Sequence, residues 1–248
     1  MPNPVRARVV QLFPTCLVNE IHPDVGMAVV RVLERLGFEV AVPTGLTCCG
    51  QPAYNAGFHA EARQVARHTL DVLTRTDGPI VLPSGSCTDM LVHQYSELFK
   101  NDARDAERAR AVAARCREFS QFVVEHGGAD LAARLQTRVA YHPSCHLLRG
   151  LGVRTEPQTL IRAIDGAALV PFTEQEECCG FGGLFSIKNA DISGSMLDRK
   201  LTAIIASGAD RVVSCDAGCL LHLAGGLRRR ASTIQTQHLA ELVDEALR

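Results

Sequence analysis

The sequence predicts an α/β protein made of two similar halves, each a small parallel β-sheet flanked by helices. Three observations carry that prediction. Short apolar runs rich in Val, Ile and Leu alternate with longer segments in which apolar residues recur at helical spacing. Proline closes several of the runs, as expected where a buried strand gives way to a turn. The whole order, cysteines included, recurs at an offset of 129 to 132 residues.

In the first half, ARVVQLF (7–13) is a short apolar run ended by Pro14 and predicts a buried strand. Between Asp24 and Leu36, residues Val25, Ala28, Val29, Val32 and Leu36 fall at helical spacing, and Gly37 terminates the helix. FEVAV (38–42) predicts a second strand, stopped by Pro43, and the alanine-rich segment 59–73 a second helix. PIVLP (79–83) predicts a third strand, and 88–99 a closing helix with Thr88 as its cap.

The second half follows the same order. RVAYH (138–142) predicts a strand, and 157–164 a helix that Pro157 can start. ALVPF (168–172) predicts the next strand. The segment 190–207 predicts a helix carrying Ile192, Met196, Leu197, Leu201, Ile204 and Ile205. RVVS (211–214) predicts the third strand, followed by a short apolar segment. Residues 100–137 are charged and alanine-rich and predict a helical connector. The expected organisation is therefore an N-terminal repeat over 1–99, the connector over 100–137 and a C-terminal repeat over 138–248. Each repeat is a Rossmann-like half, pseudo-symmetric with the other.

Ten cysteines punctuate this frame. Cys16 lies in FPTC and Cys145 in HPSC; Cys48 and Cys49 lie in one CCG, Cys178 and Cys179 in another. Cys87 lies in VLPSGSCTDML and Cys219 in VVSCDAGCLLH. The spacings are C-x31-CC-x37-C and C-x32-CC-x39-C. Each of these cysteines follows shortly after a predicted strand, and parallel α/β sheets gather functional groups at the carboxyl ends of their strands. Four thiols distant in sequence are thus expected to converge in one pocket per half.

The adjacent pair is physically informative. Neighbouring side chains on an extended strand point to opposite sides, so two adjacent cysteines share a site only in a turn. Gly50 and Gly180 can supply the positive φ such a turn needs. A vicinal disulfide is the competing use of the pair, but it leaves Cys16 and Cys87 unexplained. Four converged thiolates bind either zinc or an iron–sulfur cluster. No C-x2-C hairpin of the kind common in local zinc sites occurs, and ligands drawn from three separate loops favour a cluster.

Composition excludes other classes. A formal charge of −1 and a pI near 6.7 give no electrostatic case for nucleic acid or an anionic membrane. No apolar run approaches the roughly 18 residues of a transmembrane helix, and VVQLF is too short for a signal-peptide core. A soluble cytoplasmic protein is the expectation, and in a reducing compartment clustered cysteines point to metal or redox chemistry.

On these motifs, and on the phrases FPTCLVNEIHPDVG, TCCGQPAYNAG, ECCGFGGLFSIK and GCLLHL, the chain resembles the lactate utilization protein A family. That family belongs with the cysteine-rich CCG-domain iron–sulfur oxidoreductases, which also include a cysteine-rich component of heterodisulfide reductase and the iron–sulfur component of glycolate oxidase. The resemblance implies an oxidoreductase subunit for L-lactate oxidation to pyruvate, with 4Fe–4S clusters on Cys16, Cys48, Cys49, Cys87, Cys145, Cys178, Cys179 and Cys219. It also implies lactate utilization proteins B and C as partners, B being of the ferredoxin type. In its fullest form the family motif ends in C-x2-C, giving five cysteines per half and able to hold a non-cubane 4Fe–4S cluster. Here Ser84 and Asp216 occupy the penultimate positions. Cys215 is an unaligned extra, either a substitute ligand or a buried thiol, and zinc in one half stays open. A disulfide reductase of the heterodisulfide type and a zinc-stabilised assembly module are the alternative functions.

Other residues carry weaker signals. His142 and His146 flank Cys145 and could line the second site or relay protons, or be ordinary loop histidines. Lys188 could steer an acid substrate, although a solvated lysine is the simpler assumption. The GFGG run lacks the G-x-G-x-x-G spacing of a nucleotide loop. Cys116 reads as a core or surface thiol of the connector helix, and Gln51, Phe181 and Phe185 as residues that shape the turns.

Overall fold

A computed structural model describes residues 8–248. Ala7, the first residue of the expected opening strand, lies outside them, as does the rest of 1–7. The first half runs β1 (Arg8–Leu12), α1 (Cys16–Glu20), α2 (Pro23–Arg35), β2 (Phe38–Ala41), α3 (Gln51–Asn55), α4 (His59–Leu73) and β3 (Ile80–Leu82). It continues with α5 (Gly85–Asp89), which passes through a π-helical turn (Met90–Gln94) into α6 (Tyr95–Leu98), then α7 (Ala103–Arg115) and β4 (Cys116–Glu118). All four strands are parallel, in the order β2-β1-β3-β4.

After α8 (Phe119–Glu125) and a 3-10 turn, the second half runs β5 (Arg134–Tyr141), a π-helical turn (His146–Gly150), α9 (Glu156–Ala163), β6 (Asp165–Leu169), α10 (Phe185–Lys188) and α11 (Ala190–Ala206). It ends with β7 (Arg211–Ser214), α12 (Ala217–Arg229), β8 (Gln235–His238) and α13 (Leu239–Ala246). This sheet is also fully parallel, in the matching order β6-β5-β7-β8. The α/β class and the pseudo-symmetric parallel sheets are as the sequence predicts.

Several elements differ in detail, each for a local reason. The segment 100–137 is not wholly helical: it supplies β4, which pairs with β3, and Cys116 opens that strand rather than lying in a helix. β4 and β8 stand at sheet edges, where a strand needs no continuous apolar run to announce it. The closing helix of the first repeat starts at Gly85, and its cap is Ser84, whose hydroxyl accepts from the Cys87 N–H at 3.2 Å. Thr88 lies inside that helix and donates to the Ser84 carbonyl at 2.7 Å. The strand expected at 168–172 ends at Leu169, and the short apolar segment after β7 is the full helix α12.

Strand alternation sorts the core into layers. Val10, Leu12, Val81, Val139, Tyr141 and Val213 face an inner layer built from α2, α8, α9 and α13. Their sequence neighbours face outward. Phe13, Ile80 and Leu82 pack on Ala66, Leu70, Ala109 and Val112 of α4 and α7, whereas Ala140 and Val212 pack on Leu197, Leu201 and Leu223 of α11 and α12. The inner layer is common to both halves, and burying each such Leu, Val or Phe contributes roughly 1.5–3 kcal/mol. An ion pair closes its rim: the Arg31 guanidinium on α2 grips both carboxylate oxygens of Asp244 on α13, at 2.9 and 2.7 Å.

Glu118, the last residue of β4, is fully buried within this frame. Its carboxyl caps α8, accepting from the Ser120 N–H at 2.7 Å and from the Ser120 hydroxyl, while its other oxygen has no partner. Burial pushes its pKa up to about 7. The folded chain therefore holds a proton that the unfolded chain releases near 4.5, and stability falls as pH rises from about 4.5 to 7. Glu118→Gln should flatten that slope, which is on the order of 3 kcal/mol across the window. Urea melts of both proteins at pH 5 and pH 7.5 check this; equal pH slopes would refute it.

Candidate metal centre

Each motif cysteine lies in the segment that follows a strand, close behind β1, β3, β5 and β7 for the single cysteines and further along the loops after β2 and β6 for the CC pairs. Cys16 opens α1, and the residue before it, Thr15, is held at φ 63° and ψ 153°, a conformation that costs a β-branched residue about 1–3 kcal/mol. Cys48 and Cys49 follow β2 in a turn whose Gly50 adopts φ 86°, and Cys178 and Cys179 follow β6 with Gly180 at φ 91°. In both turns the glycine N–H points back at the first sulfur, 3.4 Å from Cys48 Sγ and from Cys178 Sγ. Cys87 and Cys219 each occupy the third position of a helix, α5 and α12.

Within each half the four motif cysteines face a common space. Cys16 Sγ lies 3.8 Å from Cys48 Sγ, and Cys49 Sγ lies 3.4 Å from Cys87 Sγ. In the second half Cys179 Sγ and Cys219 Sγ lie within 4.8 Å of each other, and Cys145 and Cys178 line the same cavity. The expectation of a separate pocket for each half gives way to one shared cavity. All eight thiols line a single cavity of about 290 Å³. The reason is the packing of α5 against the π-helical turn after β5, which turns the carboxyl ends of the two sheets toward each other; Gly85 N–H donates to the Cys215 carbonyl there, at 3.3 Å.

Ser84 and Asp216, at the penultimate positions of the motifs, act together as a clasp. Asp216 accepts from the Gly218 N–H of its own helix at 3.2 Å and from the Ser86 N–H of the other half at 3.0 Å, with the Ser84 hydroxyl at 3.4 Å. Both residues are buried and line the cavity between the two groups of thiols. Cys215 does not join them. Its thiol turns the opposite way into the inner core, 4.0 Å from the Tyr141 hydroxyl, and burial raises its pKa. Cys116 is likewise buried away from the cavity, with its pKa pushed up to about 12.

Electrostatics single out one thiol per group. Hydrogen bonds from Cys16 and then Cys49, with the Gly50 N–H, hold Cys48 far below the usual thiol range. Cys145, Cys179 and Gly180 do the same for Cys178. The partners Cys16, Cys49, Cys145 and Cys179 are pushed up, chiefly by those same bonds to a neighbouring thiolate. A group of four sulfurs this close cannot be fully ionised without a compensating positive charge, and a bound metal centre supplies one.

Histidine positions split. His146 lines the cavity, with Nδ1 2.7 Å from Asp89, and that carboxylate also accepts from His93 at 2.8 Å; the pair holds His146 above its ordinary value. His142 is fully buried behind the thiols. Neither ring nitrogen has a partner, and burial lowers its pKa to about 3, so the ring is neutral. A ligating atom of His142, Cys179 Sγ and Cys219 Sγ all lie within 4.8 Å of one another.

Lys188 is exposed on α10 and does not line the cavity. The lysine near the second group is Lys200, which sequence reasoning missed. It is buried, donates to the Glu174 and Gln175 carbonyls, and lies over the Phe172 ring. Its signal was a lysine at an apolar position of α11, between Leu197 and Ile204. Gln51 lines the cavity and donates to the Ser86 carbonyl at 2.9 Å, and Phe181 also lines it, whereas Phe185 does not.

A family model described as cysteine-rich domain, CCG, matches residues 10–92 and 139–224. The lactate utilization protein A of an Exiguobacterium species is 41% identical over 250 aligned residues, covering 100% of this chain and 99% of its own length. That of Macrococcus caseolyticus is 42% identical, covering 95% of this chain and 96% of its own. Among solved structures, a hypothetical protein from Helicobacter pylori superposes with a TM-score of 0.65 at 12% identity. It covers 99% of this chain, which spans 49% of that protein, and it speaks to the fold alone.

Asp216→Ala removes the clasp and leaves the Gly218 and Ser86 N–H groups without their partner. The expected loss is about 1–3 kcal/mol of unfolding free energy, read by urea denaturation of the purified chain. A loss below about 0.5 kcal/mol would show that Asp216 does not hold the halves together.

Proposed function

This chain belongs to the cysteine-rich CCG-domain family, and we propose that it is an iron–sulfur subunit of an oxidoreductase that converts L-lactate to pyruvate. The observation that carries the proposal is the gathering of eight thiols, in two groups of four, on one cavity. The curated relatives' name supplies lactate as the pathway substrate. The donor set fits iron–sulfur clusters: it is made of thiolates drawn from separate loops, in turns that bring glycine N–H groups to the sulfurs.

Cys16, Cys48, Cys49 and Cys87 would hold one centre, and Cys145, Cys178, Cys179 and Cys219 the other. Clusters bound there would supply the capacity to accept and release single electrons. The chain's own residues set the conditions. The Gly50 and Gly180 N–H groups withdraw charge from Cys48 and Cys178, and Lys200, whose pKa burial lowers and the nearby Cys179 and Cys145 raise, sets its amine close to the second group. Lactate utilization proteins B and C are the proposed partners in a cytoplasmic complex. No helix among the described residues is long and apolar enough to cross a membrane.

One observation favours a second reading. Both thiol groups open on the same cavity, which suits reduction of a small disulfide between them. Turnover of disulfide substrates by the metal-loaded chain, with no lactate-dependent reduction of its centres in the presence of the partner proteins, would favour it. Zinc in place of iron would instead make the chain an assembly module.

Iron and acid-labile sulfide, measured after anaerobic preparation, test the assignment. Cys49→Ser and Cys179→Ser should each lose about half of both and abolish growth on L-lactate. Cys116→Ser should keep both near the wild-type level. Wild-type iron in either CCG variant, or zinc alone in the native chain, would overturn the proposal.

A further inference from the structure

We propose that His142 is a ligand of the metal centre in the second half, its imidazole binding beside Cys179 and Cys219. The two centres are then chemically unlike, the first ligated by thiolates alone and the second by thiolates and one imidazole. This rests on the reading that the second group of thiols holds a metal.

Three observations lead to it. Strand alternation aims the residue after β5 toward the outer layer, where Cys179 and Cys219 lie. The first half shows the same geometry with a different residue: Phe13 follows β1, and its N–H donates to the Val81 carbonyl at 2.9 Å as the His142 N–H donates to that of Val213 at 2.8 Å. Phe13 packs with Cys49 and Cys87 and is fully buried. The position therefore accepts an apolar ring, and nothing in the fold calls for a polar one.

An imidazole buried there needs a partner for its nitrogens, because unpartnered buried polar groups are rare and destabilising. Among the described residues neither nitrogen finds one, although a ligating atom of the ring lies within 4.8 Å of two sulfurs that the proposed centre already uses. A metal ion held by those sulfurs completes the imidazole. Neutral imidazole combined with thiolates suits zinc and iron alike, so the inference does not depend on which metal binds. If the metal is redox-active and the imidazole takes the place of one of the four thiolates, the loss of one negative charge raises the second centre's reduction potential above the first.

The test uses the full-length chain with Cys48→Ser and Cys49→Ser, so that the second group alone binds, and Co²⁺ as the probe. X-ray absorption of the cobalt-loaded protein should show sulfur ligands plus one imidazole, whose ring scattering is distinctive. Adding His142→Phe, which copies the first half, should remove the imidazole and weaken Co²⁺ binding at least about tenfold. His142→Gln, which keeps a polar group of similar size, should do the same if His142→Phe fails to fold. Sulfur-only cobalt in the parent protein overturns the inference while leaving the metal reading intact. An imidazole signal that survives in both variants belongs to His146 on the cavity wall or to His222, whose ring centroid lies 5.9 Å from that of the cavity-lining Phe181, and also overturns it. If no cobalt binds, the inference falls, and iron and zinc analysis of the unmutated chain decides whether the metal reading falls with it.

Discussion

The inner layer of helices is the constraint on which the candidate site depends. α2 and α8 from the first half pack against α9 and α13 from the second, and both sheets bury one face on them. With the sheets fixed about that layer, the carboxyl ends of β1, β3, β5 and β7 open at one place. A single sheet could gather only four sulfurs. Two sheets held by a common core gather eight around one cavity. Asp216 then adds a polar tie between the groups, from the start of α12 to the backbone of α5.

The same layer explains why neighbouring residues have such different fates. Along β7, Val212 faces outward and Val213 inward; Cys215 continues the inward series and disappears into the core beside Tyr141. Cys219 escapes this parity because it belongs to the first turn of α12. A cysteine at the end of a strand is thus a candidate ligand only when its register points it to the correct layer, and proximity along the chain says nothing about that.

Much of this was legible in the sequence because it rests on local periodicity. The helix over 59–73 and the strand over 211–214 appear with the predicted bounds, since uninterrupted 3.6-residue and apolar patterns fix them. The convergence of thiols was legible too, because strand ends in parallel sheets share one edge. What stayed hidden depends on tertiary partners. β8 reads QTQH, with no apolar run, and forms because β7 offers it an edge. The fusion of two expected pockets into one cavity follows from how α5 meets the turn after β5, a contact between segments about 60 residues apart that no local pattern encodes. Lys200 was hidden for a related reason: a charged residue in an amphipathic stripe signals burial only when its carbonyl partners, supplied by the turn at Glu174 and Gln175, are known.

The repeat preserves the frame while the surroundings of the two thiol groups diverge. Cysteine positions, glycine turns and strand order match between the halves. The residues behind the sulfurs do not. Where the first half buries Phe13, the second buries His142, and where burial along α4 places Thr69, the equivalent position of α11 carries Lys200. Both differences add polarity or positive charge to the second group. Thiolate charge in a cavity of low dielectric is costly to hold, so the second group is the better compensated of the two. Symmetric architecture therefore carries asymmetric electrostatics, and any chemistry done in the shared cavity meets two unequal walls.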